Sequence, residues 1–177
     1  MRIIAGKYRG RVLAPFRGEE IRPTADRVKE SVFQILSSRL SGARVLDLFC
    51  GSGALGIESL SRGASEVVFN DASPDSIKVL QKNLARVQEA YTIRKHDYKA
   101  CLMSVEGKFD LIFSDPPYRE DYLPEILRLV AERDLLNADG LIVHESEREE
   151  TLPAGWAQVD LRRYGRTLVG FYQRIQE

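Results

Sequence analysis

The sequence predicts one α/β domain with a mostly parallel sheet, helices on both faces, a small N-terminal extension and a terminal antiparallel strand pair. Three observations lead there. Between residues 43 and 144, short apolar runs alternate with stretches of helical periodicity. The first of those runs ends in the glycine cluster Gly51-Ser52-Gly53-Ala54-Leu55-Gly56. Beyond residue 155, two strand-like runs follow one another with Gly165 between them and no room for a helix. The whole of 1–177 reads as a single domain, with a basic extension over 1–23 and the core over 24–177.

Residues 2–5 and 10–14 read as short extended segments around Gly6 and Gly10, a small hairpin. Pro23 and Thr24 open a helix on which Val28, Val32, Ile35, Leu36 and Leu40 recur at helical spacing, leaving Arg27, Lys29, Glu30 and Gln34 outside. Val45–Phe49 is the first strand, and a helix over Ala54–Leu60 follows, closed by Gly63. Glu66–Asn70 is the second strand. Pro74–Val87 reads as a helix with Ile77, Leu80 and Leu84 on one face. Tyr91–Lys95 is a weaker third strand and Phe109–Ser114 a fourth. A helix near Tyr122–Ala131 leads to a fifth strand over Gly140–His144. Trp156–Arg163 and Thr167–Arg174 form the terminal antiparallel pair. Crossovers between parallel strands run right-handed, so the crevice beyond the strands' carboxyl ends is the expected ligand site. The chemically suggestive residues fall at those ends.

With 44% hydrophobic and 29% charged residues, a chain of 177 residues has enough apolar surface to bury a core without disulfides or metals. No apolar run has the length of a membrane span, and Met1–Lys7 carries no hydrophobic signal region, so the expected location is the cytosol, without a membrane partner. Cys50 and Cys101 belong to no Cys-x-x-Cys pair, and His96 and His144 are the only histidines. That excludes a metal site of ordinary ligand spacing and suggests two buried thiols in a reducing compartment. Net charge is zero, yet residues 1–30 carry eight basic and four acidic side chains, a local excess of +4. A basic arm on a neutral protein fits a polyanion-binding face, and an ordinary solvated surface fits it as well.

Gly51, Gly53 and Gly56 spell G-x-G-x-x-G after the first strand. They permit a tight strand-to-helix turn and close approach of a ligand to the backbone, where Phe49 and Ser52 also sit. The bland alternative is a turn that only packs helix on strand. A dinucleotide fingerprint has the same glycines, and Asp71 lies 20 residues after Gly51, as a ribose-binding acid should. Asp47 makes the difference. A carboxylate before the turn repels a pyrophosphate and suits a phosphate-free cofactor with a cationic amino-acid tail, as S-adenosylmethionine has. Asp97, with Tyr98 beside it, ends the third strand and offers an acceptor for the adenine amino group. A turn-capping aspartate explains Asp97 equally well.

Asp115-Pro116-Pro117-Tyr118 follows the fourth strand. Two prolines stop the ladder and stiffen the backbone, aiming Asp115 and the Pro116 carbonyl into the crevice, while Tyr118 offers a flat face for a base. An exocyclic base amine is a poor nucleophile because its lone pair is delocalised into the ring. Two acceptors on its N–H bonds favour a more tetrahedral nitrogen, positioning supplies much of the acceleration, and a carboxylate stabilises the cationic product.

The Asp47–Gly56 loop and the Asp115–Tyr118 tetrad resemble class I methyltransferases with an (Asn/Asp)-Pro-Pro-(Tyr/Phe) motif. Arg2-Ile3-Ile4-Ala5-Gly6-Lys7-Tyr8-Arg9-Gly10-Arg11, Arg22-Pro23-Thr24-Ala25-Asp26-Arg27-Val28-Lys29-Glu30 and His144-Glu145-Ser146-Glu147 extend the resemblance, over nearly the whole chain, to the RsmD-type bacterial methyltransferases, which act on N2 of a guanine in 16S rRNA. The resemblance implies a seven-stranded Rossmann-like fold and S-adenosylmethionine as methyl donor, with no metal. It implies a 16S rRNA substrate, within the small ribosomal subunit or free; separately, the chain is expected to be a monomer. Asp47, Gly51, Gly53 and Asp71 carry over as cofactor contacts, and Asp115, Pro116, Pro117 and Tyr118 as the catalytic motif. Arg2, Lys7, Arg9, Arg11, Arg22, Thr24 and Arg27 fall on the RNA-facing entrance. Many relatives have glutamate where Asp71 stands. Glu145 and Glu147 follow the family pattern without a chemical role to assign. Four alternatives stay open: adenine-N6 methylation of DNA, another RNA guanine, an NAD-dependent oxidoreductase, and a non-enzymatic RNA-binding module.

Overall fold

The computed structural model describes residues 1–16, 23–117 and 121–176 of the chain, apart from the side chains of Pro23 and Thr24. Arg22 and Tyr118 lie outside the described residues, as does the Thr24 side chain.

Helix α1 (Pro23–Ile35) and a 3-10 turn (Ser37–Arg39) precede the alternating part of the chain. There follow β1 (Arg44–Asp47), α2 (Ala54–Ser61), β2 (Glu66–Asn70), α3 (Pro74–Asn83) and β3 (Ala90–Arg94). The second half holds α4 (Tyr98–Ser104), β4 (Phe109–Ser114), α5 (Leu123–Glu132), β5 (Leu136–Ser146), β6 (Trp156–Tyr164) and β7 (Thr167–Arg174). All seven strands join one sheet in the order β3-β2-β1-β4-β5-β7-β6. Its first five strands pair in parallel; β7 is antiparallel to both β5 and β6. This is the Rossmann-like class I architecture the sequence predicts.

Alternation along each strand divides the core into two clusters. Val45, Phe69, Leu111, Phe113 and Val143 face one side with Phe33, Ile57 and Leu80 of α1, α2 and α3. Leu46, Val68, Ile112 and Ile142 face the other with Leu102, Ile126 and Val130 of α4 and α5. The N-terminal hairpin forms through a single antiparallel bridge between Arg2 and Val12. It is fastened to α2: Ile4 N and Ala5 N donate to Glu58, and Ser61 Oγ donates to Ala5 O.

Four differences from the sequence expectation have physical reasons. Helix α4 was not expected. It is seven residues long and buries only Cys101 and Leu102, too few positions for a visible period. Asp97 therefore does not end the third strand, which stops at Arg94; it caps α4, accepting from Ala100 N at 2.8 Å. Lys29, expected outside α1, is 2% exposed. Its ammonium lies 3.1 Å from Glu58 and donates to Arg2 O at 2.7 Å, an ion pair under the hairpin that apolar periodicity cannot reveal. Strand β5 begins four residues before Gly140, with its register to β4 broken between Phe109 and Leu111. Both cysteines are buried thiols.

Candidate active site

Strands β1 and β4 are neighbours, and the chain runs outward from them in opposite directions. That switch point opens a crevice at the carboxyl ends of the strands. Its floor and one wall come from the loop after β1. Gly51 holds φ +53°, and its N–H donates to Asp71 Oδ2 at 2.9 Å. Asp71 Oδ1 accepts from Ser73 N at 2.9 Å, so both oxygens already hold one backbone donor each.

The structure divides the expected cofactor residues. Phe49, Gly51, Ser52, Asp71, Asp97 and Tyr98 line the crevice. Asp47 and Gly53 do not. Gly53 holds φ +90°, and a Cβ there would meet Leu80 Cδ1 at 2.5 Å, so this glycine serves the turn and the packing beneath it. Gly56 likewise makes room for the Phe69 ring, which a Cβ would meet at 2.2 Å. Asp47 lies under the loop, 1% exposed, accepting from Gly56 N at 3.0 Å. Burial pushes its carboxyl up to about 7; the Gly56 N–H opposes that rise, and the nearby charges of Asp115 and Asp71 add to it.

Beside the loop stands an aromatic cluster. Phe49 and Tyr98 have ring centroids 5.7 Å apart, and Tyr122, at the start of α5, meets Tyr98 edge-on at 5.2 Å. The opposite wall carries Asp115, Pro116 and Pro117 from the end of β4 and Glu145 from β5. Asp115 is open to the crevice but enclosed by protein on its other sides. That enclosure raises its pKa, against the lowering influence of a hydrogen bond with Glu145 and of nearby His144. Glu145 is pushed well above the ordinary carboxylate range by burial and then by Asp115 and Asp47. On the far side of the sheet, Ser114 Oγ and His144 Nδ1 are 2.8 Å apart, and His144 Nε2 lies 2.5 Å from Glu150.

The basic residues separate in the same way. Arg27 of α1 lines the crevice, as does Arg166 in the turn between β6 and β7. Arg2 and Arg9 are exposed. Lys7 pairs with Glu89 at 2.9 Å and Arg11 donates to Ala85 O. Both therefore reach the turn before β3, at the amino edge of the sheet, away from the crevice.

A family model described as conserved hypothetical protein 95 matches residues 1–173. The chain belongs to this family. The ribosomal RNA small subunit methyltransferase D of Escherichia coli K12 is 34% identical over 98% of this chain and 90% of its own. The Bacillus subtilis protein YlbH, described as a candidate rRNA methyltransferase, is 38% identical over 98% of this chain and 99% of its own. The solved structure of Escherichia coli yhhF, described as a candidate methyltransferase, matches with a TM-score of 0.88 and 36% identity, covering 100% of this chain and 99% of that one. The protein is thus an RsmD-type methyltransferase.

Two residues of this RsmD-type site gain a place that sequence reasoning did not assign. Tyr122 completes the aromatic cluster; in the sequence it reads only as a helix start. Glu145 had no role, because its neighbour Asp115 is 30 positions away and only strand register brings them together.

Proposed function

We propose that this chain transfers a methyl group from S-adenosylmethionine to the exocyclic N2 amine of a guanine in 16S rRNA, free or within the small ribosomal subunit. The observation that carries the reading is the placement of Asp115-Pro116-Pro117 at the end of β4, across the switch point from the glycine loop of β1.

The residues fit the cofactor. Each Asp71 oxygen keeps a further acceptor position after its backbone bond, so Asp71 is the group that would hold the ribose hydroxyls. Phe49, Tyr98 and Asp97 would flank the adenine end. The carboxyl groups of Asp71 and Asp115, joined by Asp47 above about pH 7, give the site a negative character that favours a cation and opposes a pyrophosphate, which argues against NAD. Bound S-adenosylmethionine would supply an electrophilic methyl group carried on a sulfonium, whose S–C bond breaks as the new N–C bond forms and whose thioether leaves as S-adenosylhomocysteine.

Asp115 accepts one N–H of the target amine, and the Pro116 carbonyl, stiffened by Pro117, is the second acceptor. Gripped at both N–H bonds, the nitrogen loses conjugation with its ring and presents a lone pair. Alignment then supplies most of the acceleration. Once the new N–C bond has formed, the nitrogen is cationic. Asp115 stabilises that charge and receives the proton the amine releases. Tyr118 stacks on the base in this reading. Arg2, Arg9 and Arg27, with Arg22 and Thr24 of the Arg-Pro-Thr segment, contact the RNA, whereas Lys7 and Arg11 are engaged at the turn before β3.

Replacing Asp115 by alanine tests the assignment. Turnover should fall by about two orders of magnitude or more, with affinity for S-adenosylhomocysteine little changed. Undiminished turnover would remove Asp115 from the mechanism, and lost cofactor affinity would move it to the cofactor site.

A further inference from the structure

Two carboxyl groups meet at the ends of neighbouring parallel strands. Ser114 of β4 pairs with His144 of β5, so Asp115 and Glu145 are the next residues in register. Ser114 and His144 face the Glu150 side of the sheet. Alternation sends Asp115 and Glu145 to the opposite face, where both line the crevice. The register sets the two carboxyl groups beside each other, and each influences the ionisation of the other. Ionised carboxylates are acceptors only, so a hydrogen bond between them requires that one of the two hold a proton.

We propose that Glu145 is a positioning residue for methyl transfer: its carboxyl keeps the shared proton and donates it in a hydrogen bond to Asp115, which thereby stays an ionised acceptor for the target amine. The proposal rests on the methyl-transfer reading of the site and assigns a role to a residue that has none in it.

The surroundings decide which partner keeps the proton. Glu145 faces negative charge from Asp115 on β4 and Asp47 on β1, and both favour its neutral form. Its register partner on β7 is the uncharged Val169. Asp71, Arg27 and Arg166 line the same crevice. Burial raises the Asp115 pKa too, but contact with Glu145 and the nearby His144 oppose that rise, and Glu145 has no such opposing influences. The arrangement has the logic of other carboxyl pairs that cannot both ionise at contact distance. It also fixes Asp115. An exposed aspartate rotates freely, whereas one held from below by a neutral donor keeps its remaining lone pairs in place.

Three variants and one spectroscopic comparison test the proposal on the intact chain. Glu145→Gln keeps an N–H donor toward Asp115 and should retain wild-type turnover within a few-fold at neutral pH. Glu145→Ala removes the donor and should lower kcat at least about tenfold, the usual scale for a lost positioning contact, with affinity for S-adenosylhomocysteine preserved. As pH rises, wild-type kcat should decline where the pair loses its proton, and Glu145→Gln should not show that decline, because its amide does not titrate. Glu145→Asp shortens the side chain and should fall between the other two. Independently of activity, the infrared difference spectrum of wild type minus Glu145→Gln at neutral pH should contain a protonated carboxyl band. A Glu145→Gln enzyme as inactive as Glu145→Ala, or the absence of that band, overturns the proposal. So does wild-type behaviour of both variants. If the wild-type protein methylates no RNA, the methyl-transfer reading fails, and the infrared comparison still decides whether the pair shares a proton.

Discussion

Burial moves the Asp47 carboxyl up to about 7, from an ordinary 3.8. Between those values the folded chain holds a proton that the unfolded chain has released, so stability falls as pH rises through that window. The difference of about three units corresponds to about 4 kcal/mol. Among the influences on this carboxyl only the Gly56 N–H opposes the rise, and the two neighbouring carboxyl groups add to it. A cation bound above the loop would offset it. Asp47→Asn should therefore be more stable than the wild type by an amount that grows from pH 4 to pH 8, measured by thermal melting without ligand. It should also bind S-adenosylmethionine more weakly at pH 8, with less of the increase in affinity that wild type shows as pH rises through 7. Equal melting temperatures across that range would contradict the assignment. The sequence placed Asp47 at the end of a strand before a glycine turn, and it is there. It could not show that the side chain lies beneath the crevice, because depth depends on which way the turn closes. Gly53 illustrates the same point: the motif marks it as a cofactor residue, but the space that it leaves is toward Leu80.

Elements were most legible where periodicity was long or punctuation strong. Strand β2 and the ends of β4 fall where the apolar runs predict, and Ser73 with Pro74 starts α3 as a cap followed by proline should, its Oγ accepting from Ser76 N. Helix α4 offered only two buried positions, and its capping signal was open to a second interpretation as a ligand contact. The N-terminal hairpin was legible as a hairpin but not as a docked one. Its attachment depends on Glu58, which is fully buried on α2 and meets Lys29 at 3.1 Å and Arg62 at 2.8 Å while also accepting from two hairpin amides. Removing Lys29 takes one of two cations from Glu58 and leaves the Arg2 carbonyl without its donor. Lys29→Met should cost about 1–3 kcal/mol, read as a fall in melting temperature on the order of 5 °C. An unchanged melting temperature would show that the hairpin and α1 are held by apolar packing alone.

The architecture of the whole molecule explains why distant residues share one chemistry. Asp47, Asp71, Asp115 and Glu145 sit on or just after four different strands, and parallel pairing brings all four to one end of the sheet. The strand–helix alternation, visible in the sequence, was enough to predict that convergence. The basic excess at the N-terminus was visible too, but its division was not. Arg27 reaches the crevice on α1, whereas Lys7 and Arg11 are turned to the amino edge of the sheet by contacts 74 or more positions away in the chain. The central claim is that this crevice methylates a guanine amine of small-subunit RNA. The direct test is transfer from radiolabelled S-adenosylmethionine to free 16S rRNA, to small subunits lacking the modification, and to unmethylated DNA, with the labelled nucleoside identified after digestion. The account predicts N2-methylguanosine in the RNA, and the more heavily labelled of the two RNA samples identifies the form that the enzyme accepts. Labelled N6-methyladenine in DNA, or no label in any RNA with cofactor binding intact, would contradict it.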